Sequence, residues 1–349
     1  MIDKKYCMSS FLMFRSIIDK EKHFADGVIQ KTYNTPKNRV PVSNSTELLE
    51  ALQEQMRSAT ADGKAALALR GGIDSAILAK FMPRGSTVYT FKCTVPGKEV
   101  TDESKVAAKY AEQCGLHQIV IPIYWDDFQK YTPILMKHKG VPIHSIEVQI
   151  YKAALRAKKD GFEKLIFGES ADCLYGGLSN VLSRDWTVGE FIDRYSFVLP
   201  YKVLKQFELI TEPFFKFEKE GMIDVHEFYQ DIFFFESTNS YYHALDCAGV
   251  TPVLPYANTK MNIPLDYARV RNGENKYLVR EVFERLYPDF SIPQKTPMPR
   301  PMDEWLADWK GPQRNEFWTN CTENMTGDQK WYVCCLEKFL NMLDEVKKS

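Results

Sequence analysis

Ala65-Ala66-Leu67-Ala68-Leu69-Arg70-Gly71-Gly72-Ile73-Asp74-Ser75 decides how the rest of this chain is read. A short apolar run, Ala65 to Leu69, is closed by two glycines and reads as a buried parallel strand. The segment Ala76 to Phe81 reads as a helix. Strand, glycine turn and helix together aim several backbone N–H groups at one anion, and the helix N-terminus adds positive potential. Glycines allow close approach of a phosphate, Ser75 can donate a hydroxyl to it, and Asp74 can hold the Mg²⁺ that accompanies a nucleotide. The loop is not a Walker A sequence, since G-x-x-x-x-G-K-[ST] is absent from it. A tight strand-to-helix turn with no ligand would use the same residues.

Outward from this loop the pattern alternates. Upstream, Asn44 or Ser45 caps a helix with Glu47 in its first turn and Leu48, Leu49, Leu52 and Met56 on one face. Downstream come a strand over 87–91, a helix from Asp102 to Cys114 stopped by Gly115, and a strand over 118–123. A helix over Ile146–Lys159 then precedes a strand over 164–167. Strands alternating with helices at this spacing predict an α/β fold, a doubly wound parallel sheet whose ligands bind at the carboxyl ends of its strands. Beyond residue 178 the strand signal fades into a mainly helical second half. Phe228, Tyr229, Ile232, Phe233 and Phe235 form an aromatic stripe read as core, and helices are expected at 275–287 and 328–346. The resulting division is an extension with a lead-in helix (1–60), an α/β core (61–180) and a helical portion that completes the site (181–349). Residues 1–42 read as mixed, and 293–301, with four prolines, as irregular loop.

Composition narrows the function classes. The formal net charge is −1 at pH 7, which gives no electrostatic reason to expect nucleic acid or an anionic membrane as partner. The apolar run Phe11–Phe14 is cut by Arg15 and is too short to span a bilayer. Eight cysteines are scattered without a CxxC pair, so reduced thiols and a cytoplasmic setting are expected. Cys334-Cys335 lacks ligand spacing and a nearby His, and reads as packing in the last helix.

A second cluster follows the fourth expected strand: Gly168-Glu169-Ser170-Ala171-Asp172-Cys173-Leu174-Tyr175-Gly176-Gly177. In a parallel sheet Glu169 and Asp172 open onto the same edge as Asp74. Three carboxylates there repel one another unless Mg²⁺ or a cationic group offsets them. A solvated acidic loop with a Gly-Gly turn is the plain alternative.

The first loop resembles the pyrophosphate loop (PP-loop) of ATP pyrophosphatases, S-G-G-[LI]-D-S-[ST], with Arg70 in place of the first Ser and Ala76 in place of the last hydroxyl. The second resembles G-E-G-[SA]-D-E-x-F-G-G-Y of the synthetase domain of glutamine-dependent asparagine synthetases, which β-lactam and carbapenam synthetases share. The order continues: Gly273-Glu274-Asn275-Lys276-Tyr277-Leu278-Val279-Arg280-Glu281 resembles G-x-x-K-x-x-L-R-E, and Pro293-Gln294-Lys295 resembles the R-x-K-x-x-[FM] lysine loop. Residues 251–258 align loosely with E-x-R-x-P-F-L-D, Val253 standing for the Arg.

The resemblance implies a carbon–nitrogen ligase that uses ATP and Mg²⁺ to adenylate a carboxylate, which ammonia or an amine then attacks. Leu69, Arg70, Gly71, Gly72, Asp74, Ser75, Phe91, Gly168 and Lys276 form the implied nucleotide-binding set. Asp74 and Asp172 would hold Mg²⁺. Lys295 would stabilise charge on the α-phosphate, and Glu169 would position or deprotonate the attacking nitrogen. About 60 residues ahead of the first core strand cannot hold a glutaminase domain, and position 2 is Ile2 rather than a nucleophilic Cys. Free ammonia, an amine substrate or a separate glutaminase partner is therefore the expected nitrogen source. Two further readings stay open: another PP-loop enzyme, such as a tRNA-modifying one, and a degenerate nucleotide-binding protein.

Overall fold

The computed structural model describes residues 1–294 and 296–346. The chain opens with α1 (Lys4–Phe14), β1 (Val40–Val42) and α2 (Ser45–Thr60). The core then runs β2 (Ala65–Ala68), α3 (Ile73–Ala79), β3 (Thr87–Cys93), α4 (Ser104–Cys114), β4 (His117–Ile123), α5 (Trp125–Lys139), α6 (Ser145–Lys159), β5 (Lys164–Ile166) and α7 (Ala171–Leu174). Past several short helices and a small antiparallel hairpin, the longer elements are α8 (Phe234–Ala248), β6 (Thr251–Val253), β7 (Thr259–Met261), α9 (Tyr277–Leu286) and α10 (Gly327–Val346).

β2 to β6 form one five-stranded sheet in the order β4-β3-β2-β5-β6, parallel at every pairing. All four residues of β2 are buried, as befits a central strand covered on both faces. The chain winds outward from β2 through β3 to β4, then crosses back to lay β5 on the other side of β2. The turns after β2 and β5 therefore diverge at a topological switch point, where doubly wound sheets bind ligands.

The expected four-strand core gains a fifth member. β6 has three residues and carries Pro252, a signal that argues against a strand in sequence; it is tolerated because β6 lies at the sheet edge. α5 carries Pro133 in its interior, which hides the helix from a pattern reading. α1 was hidden for a different reason. Nine of its residues, Tyr6 to Phe14, are buried, so it shows no polar face to betray a helical period. Its ends are defined all the same: the Asp3 side chain accepts from the Tyr6 N–H at 3.0 Å, and Arg15 closes it at φ +58°.

Other expectations hold in detail. Asn44 caps α2 by accepting from the Glu47 N–H at 2.9 Å, and Leu48, Leu52 and Met56 are fully buried, with Leu49 at the margin. Cys334 and Cys335 pack into the core, and all eight cysteines are free thiols. The aromatic stripe is shifted: Phe228, Tyr229 and Phe234 are buried, whereas Ile232, Phe233 and Phe235 are only partly so. A π-helical stretch, Tyr229–Phe233, inserts an extra residue there and breaks the 3.6-residue period. Among the described residues no helix is long and apolar enough to cross a membrane.

Candidate functional site

A cleft of about 370 Å³ opens at the carboxyl ends of β2 and β5. Its floor is the loop after β2, one wall is the loop after β5, and the start of α9 with Ile292, Pro293, Gln294, Thr296 and Met298 completes it. The two loops touch at Gly168. A Cβ there would stand 2.8 Å from the Ser75 N and 2.9 Å from the Asp74 carbonyl carbon, so only glycine lets the second loop lie against the first. At Gly72 an added Cβ would meet nothing within 4 Å, which leaves open space beside the loop.

α3 starts at Ile73, three residues before the expected Ala76, and so carries Asp74 and Ser75 in its first turn. Ser75 serves the loop itself. Its hydroxyl accepts from the Arg70 N–H at 3.0 Å and lies within reach of the Gly72 carbonyl at 3.3 Å. Arg70 does not fill the loop. Its guanidinium turns to Glu103 (Nε to Oε2, 2.9 Å) and to the Thr296 carbonyl (3.2 Å), and ties the first loop to Thr296.

The three carboxylates do converge on this cleft, and a lysine answers their repulsion. Lys276 Nζ stands 2.8 Å from both oxygens of Asp74 and 3.0 Å from Asp172 Oδ1. Burial alone would lower its pKa, but the Asp172 and Asp74 charges raise it above the ordinary lysine range. Lys276 is thus a clamp on the two acids. It is held there by a left-handed backbone, φ +55°, at the N-terminus of α9.

Glu169 has partners of its own, with the Asp172 charge close enough to be felt. It accepts from the Ser237 hydroxyl at 2.7 Å, with Tyr241 of α8 as a second side-chain hydrogen-bond partner. Burial raises its pKa, against the hydrogen bond from Ser237 that lowers it. The next residue, Ser170, adopts φ +77° and is buried, and its hydroxyl has no hydrogen-bond partner among the described residues. The motif quoted above carries Gly at this position, and the left-handed backbone gives the reason.

Leu69 and Phe91 are buried in the sheet and do not line the cleft; Phe91 stacks on Phe167 with ring centroids 6.5 Å apart, and it is Phe167 that forms the wall. Gly71 also stays off the lining, packed toward Glu103 and Val106. Lys295 lies outside the described residues. Ser237, Tyr241 and Arg280 were missed. Only Arg280 fell inside a quoted motif, while Ser237 and Tyr241 reach Glu169 across about 70 residues of chain.

Among the described residues no group of three or more His, Cys, Asp or Glu is placed to hold a metal. Asp74 and Asp172, however, point two carboxylates at one spot. Two carboxylates completed by phosphate oxygens suit Mg²⁺, so the pair fits a magnesium ion that arrives with a nucleotide.

Residues 47–217, about half of the chain, match the asparagine synthase family. No curated protein sequence matches significantly. Among solved structures, NMN synthetase from Francisella tularensis aligns over 73% of this chain and 99% of its own, at 12% identity and a TM-score of 0.29. The U34-tRNA thiolase NcsA from Methanococcus maripaludis, solved with its [4Fe-4S] cluster, aligns over 78% and 90%, at 12% identity and a TM-score of 0.26. Both likenesses are too distant to bear on function.

Proposed function

We propose, from the asparagine synthase match over residues 47–217, that this ATP-using PP-loop enzyme joins a carboxylate to ammonia or an amine, with release of AMP and pyrophosphate. The observation that carries the reading is the pairing in one cleft of two separate acidic centres: the Asp74–Lys276–Asp172 clamp beside the glycine loop, and Glu169 in its half-buried hydroxyl-lined recess. The first suits a magnesium-bound triphosphate. The second suits a proton acceptor held away from it.

The steps follow from that division. A substrate carboxylate oxygen attacks the α-phosphorus of ATP, the α–β phosphoanhydride bond breaks, and pyrophosphate leaves. Mg²⁺, when bound by Asp74 and Asp172, would neutralise charge on the departing phosphates. The nitrogen nucleophile then attacks the activated carbonyl and gives its proton to Glu169, and AMP leaves. Backbone N–H groups at the start of α3 are pre-aimed at phosphate charge. Lys295 retains the role that its motif implies, stabilising the α-phosphate.

The test is product analysis of the purified chain with ATP, Mg²⁺, ammonium and a panel of carboxylates that includes aspartate. AMP and pyrophosphate formed in equal amounts with one carboxylate, and lost in E169Q, are the expected result. ADP and phosphate as products, or no carboxylate dependence, would overturn it.

A further inference from the structure

We propose that Arg280 is a side chain that receives the nucleotide's polyphosphate in this cleft; the proposal rests on the ATP reading above. The argument begins with charge. Three cationic side chains among the described residues line the cleft: Arg70, Lys276 and Arg280. Arg70 is paired with Glu103 at 2.9 Å, and Lys276 with Asp74 and Asp172 at 2.8 and 3.0 Å. Arg280 has only neutral partners. One edge of its guanidinium, Nη1, donates to the Gly273 carbonyl at 2.9 Å and to Asn275 Oδ1 at 3.0 Å.

Those two bonds do more than occupy the group. They pin one corner of a planar fork whose Nε and Nη2 have no protein acceptor among the described residues. A fork pre-set in this way loses little rotamer freedom on meeting two phosphate oxygens, which is how arginine gains over lysine at such sites. Position supports the same role. Arg280 lies one helical turn beyond Lys276 on α9, and so follows the clamp that would carry the metal. The cleft's own acids, Asp74, Glu169 and Asp172, repel a polyanion, so a cation with no acidic partner adds to what Mg²⁺ and Lys295 would supply.

The experiment uses the full chain with R280Q and R280K, titrated with MgATP, inorganic pyrophosphate and adenosine, and with melting temperature recorded for each. R280Q should bind MgATP and pyrophosphate at least about tenfold more weakly than wild type, with adenosine affinity and melting unchanged. R280K, which keeps the charge but not the fork, should fall between, and carries the test if R280Q does not fold. Three results overturn the proposal: R280Q and wild type within twofold for pyrophosphate, R280K equal to wild type, or adenosine weakened in parallel, which would make Arg280 a prop for the 273–275 loop. Wild-type protein that binds no ATP would overturn the underlying reading as well. Wild type that binds ATP with R280Q unimpaired would overturn this inference alone.

Discussion

Ser170 is the residue where local conformation and function meet most directly. Its φ of +77° is costly for any residue with a Cβ, by about 1 kcal/mol. S170G should therefore raise unfolding free energy by about 1 kcal/mol, measurable by urea denaturation. An unchanged or lower value would mean that the buried hydroxyl offsets the strain. Its neighbour Glu169 makes a second prediction. Because burial raises its pKa, the folded state favours the protonated acid, and that contribution fades as pH climbs through the folded pKa. E169Q should thus be more stable than wild type at pH about 8, with the difference gone near pH 4, below the ordinary glutamate value. With Glu169 as the proton acceptor proposed above, turnover should fall on the acid side at a higher pH than an ordinary glutamate would give. The glycine loop, Glu169 and Asp172 were all legible in sequence. Tyr241 and Ser237 were not, because their closeness to Glu169 is a fact of packing.

At the scale of elements the site is an intersection of α3, α7 and α9, and Lys276 is what joins them. Removing its ammonium takes one cation from between Asp74 and Asp172. K276A should cost about 2 kcal/mol or more in denaturant unfolding. Adding D172N should recover part of that loss, since one of the two like charges is then removed. Strict additivity of the two substitutions would show that Lys276 and Asp172 are uncoupled. The same scale explains which elements hid from the sequence. β6 and α5 each contain a proline that pattern rules treat as a breaker, yet an edge position and tertiary packing accommodate it. α1 shows no amphipathic stripe because it is covered on every side.

The whole molecule is tied across its length by buried charge. Arg15, just past α1, pairs with Glu236 of α8, bonds His144 at 2.9 Å and reaches Tyr332 of α10 at 3.4 Å, with Phe197 stacked 3.8 Å from its guanidinium. His144 is held neutral by burial and by the Arg15 charge beside it, which push its pKa well down. Nearby, Glu147 of α6 receives Lys139 at 2.6 Å and His243 of α8. R15M should destabilise by about 3 kcal/mol because it strands the Glu236 carboxylate, and R15M/E236Q should recover much of that. Equal stability of R15M and wild type in guanidinium unfolding would reduce the pair to an incidental contact.

The sequence by itself determined the alternating core, the two loops at its strand ends and the acids they carry, because strand runs, glycine turns and caps are written in local chemistry. Only the tertiary structure decided what those charges do. It put β6 on the sheet edge and turned Arg70 to Glu103. It seated Lys276 between two carboxylates and left Arg280 with neutral partners. Each of those outcomes depends on groups brought together from distant parts of the chain, and the pairing of a charge is a property of its neighbours in space.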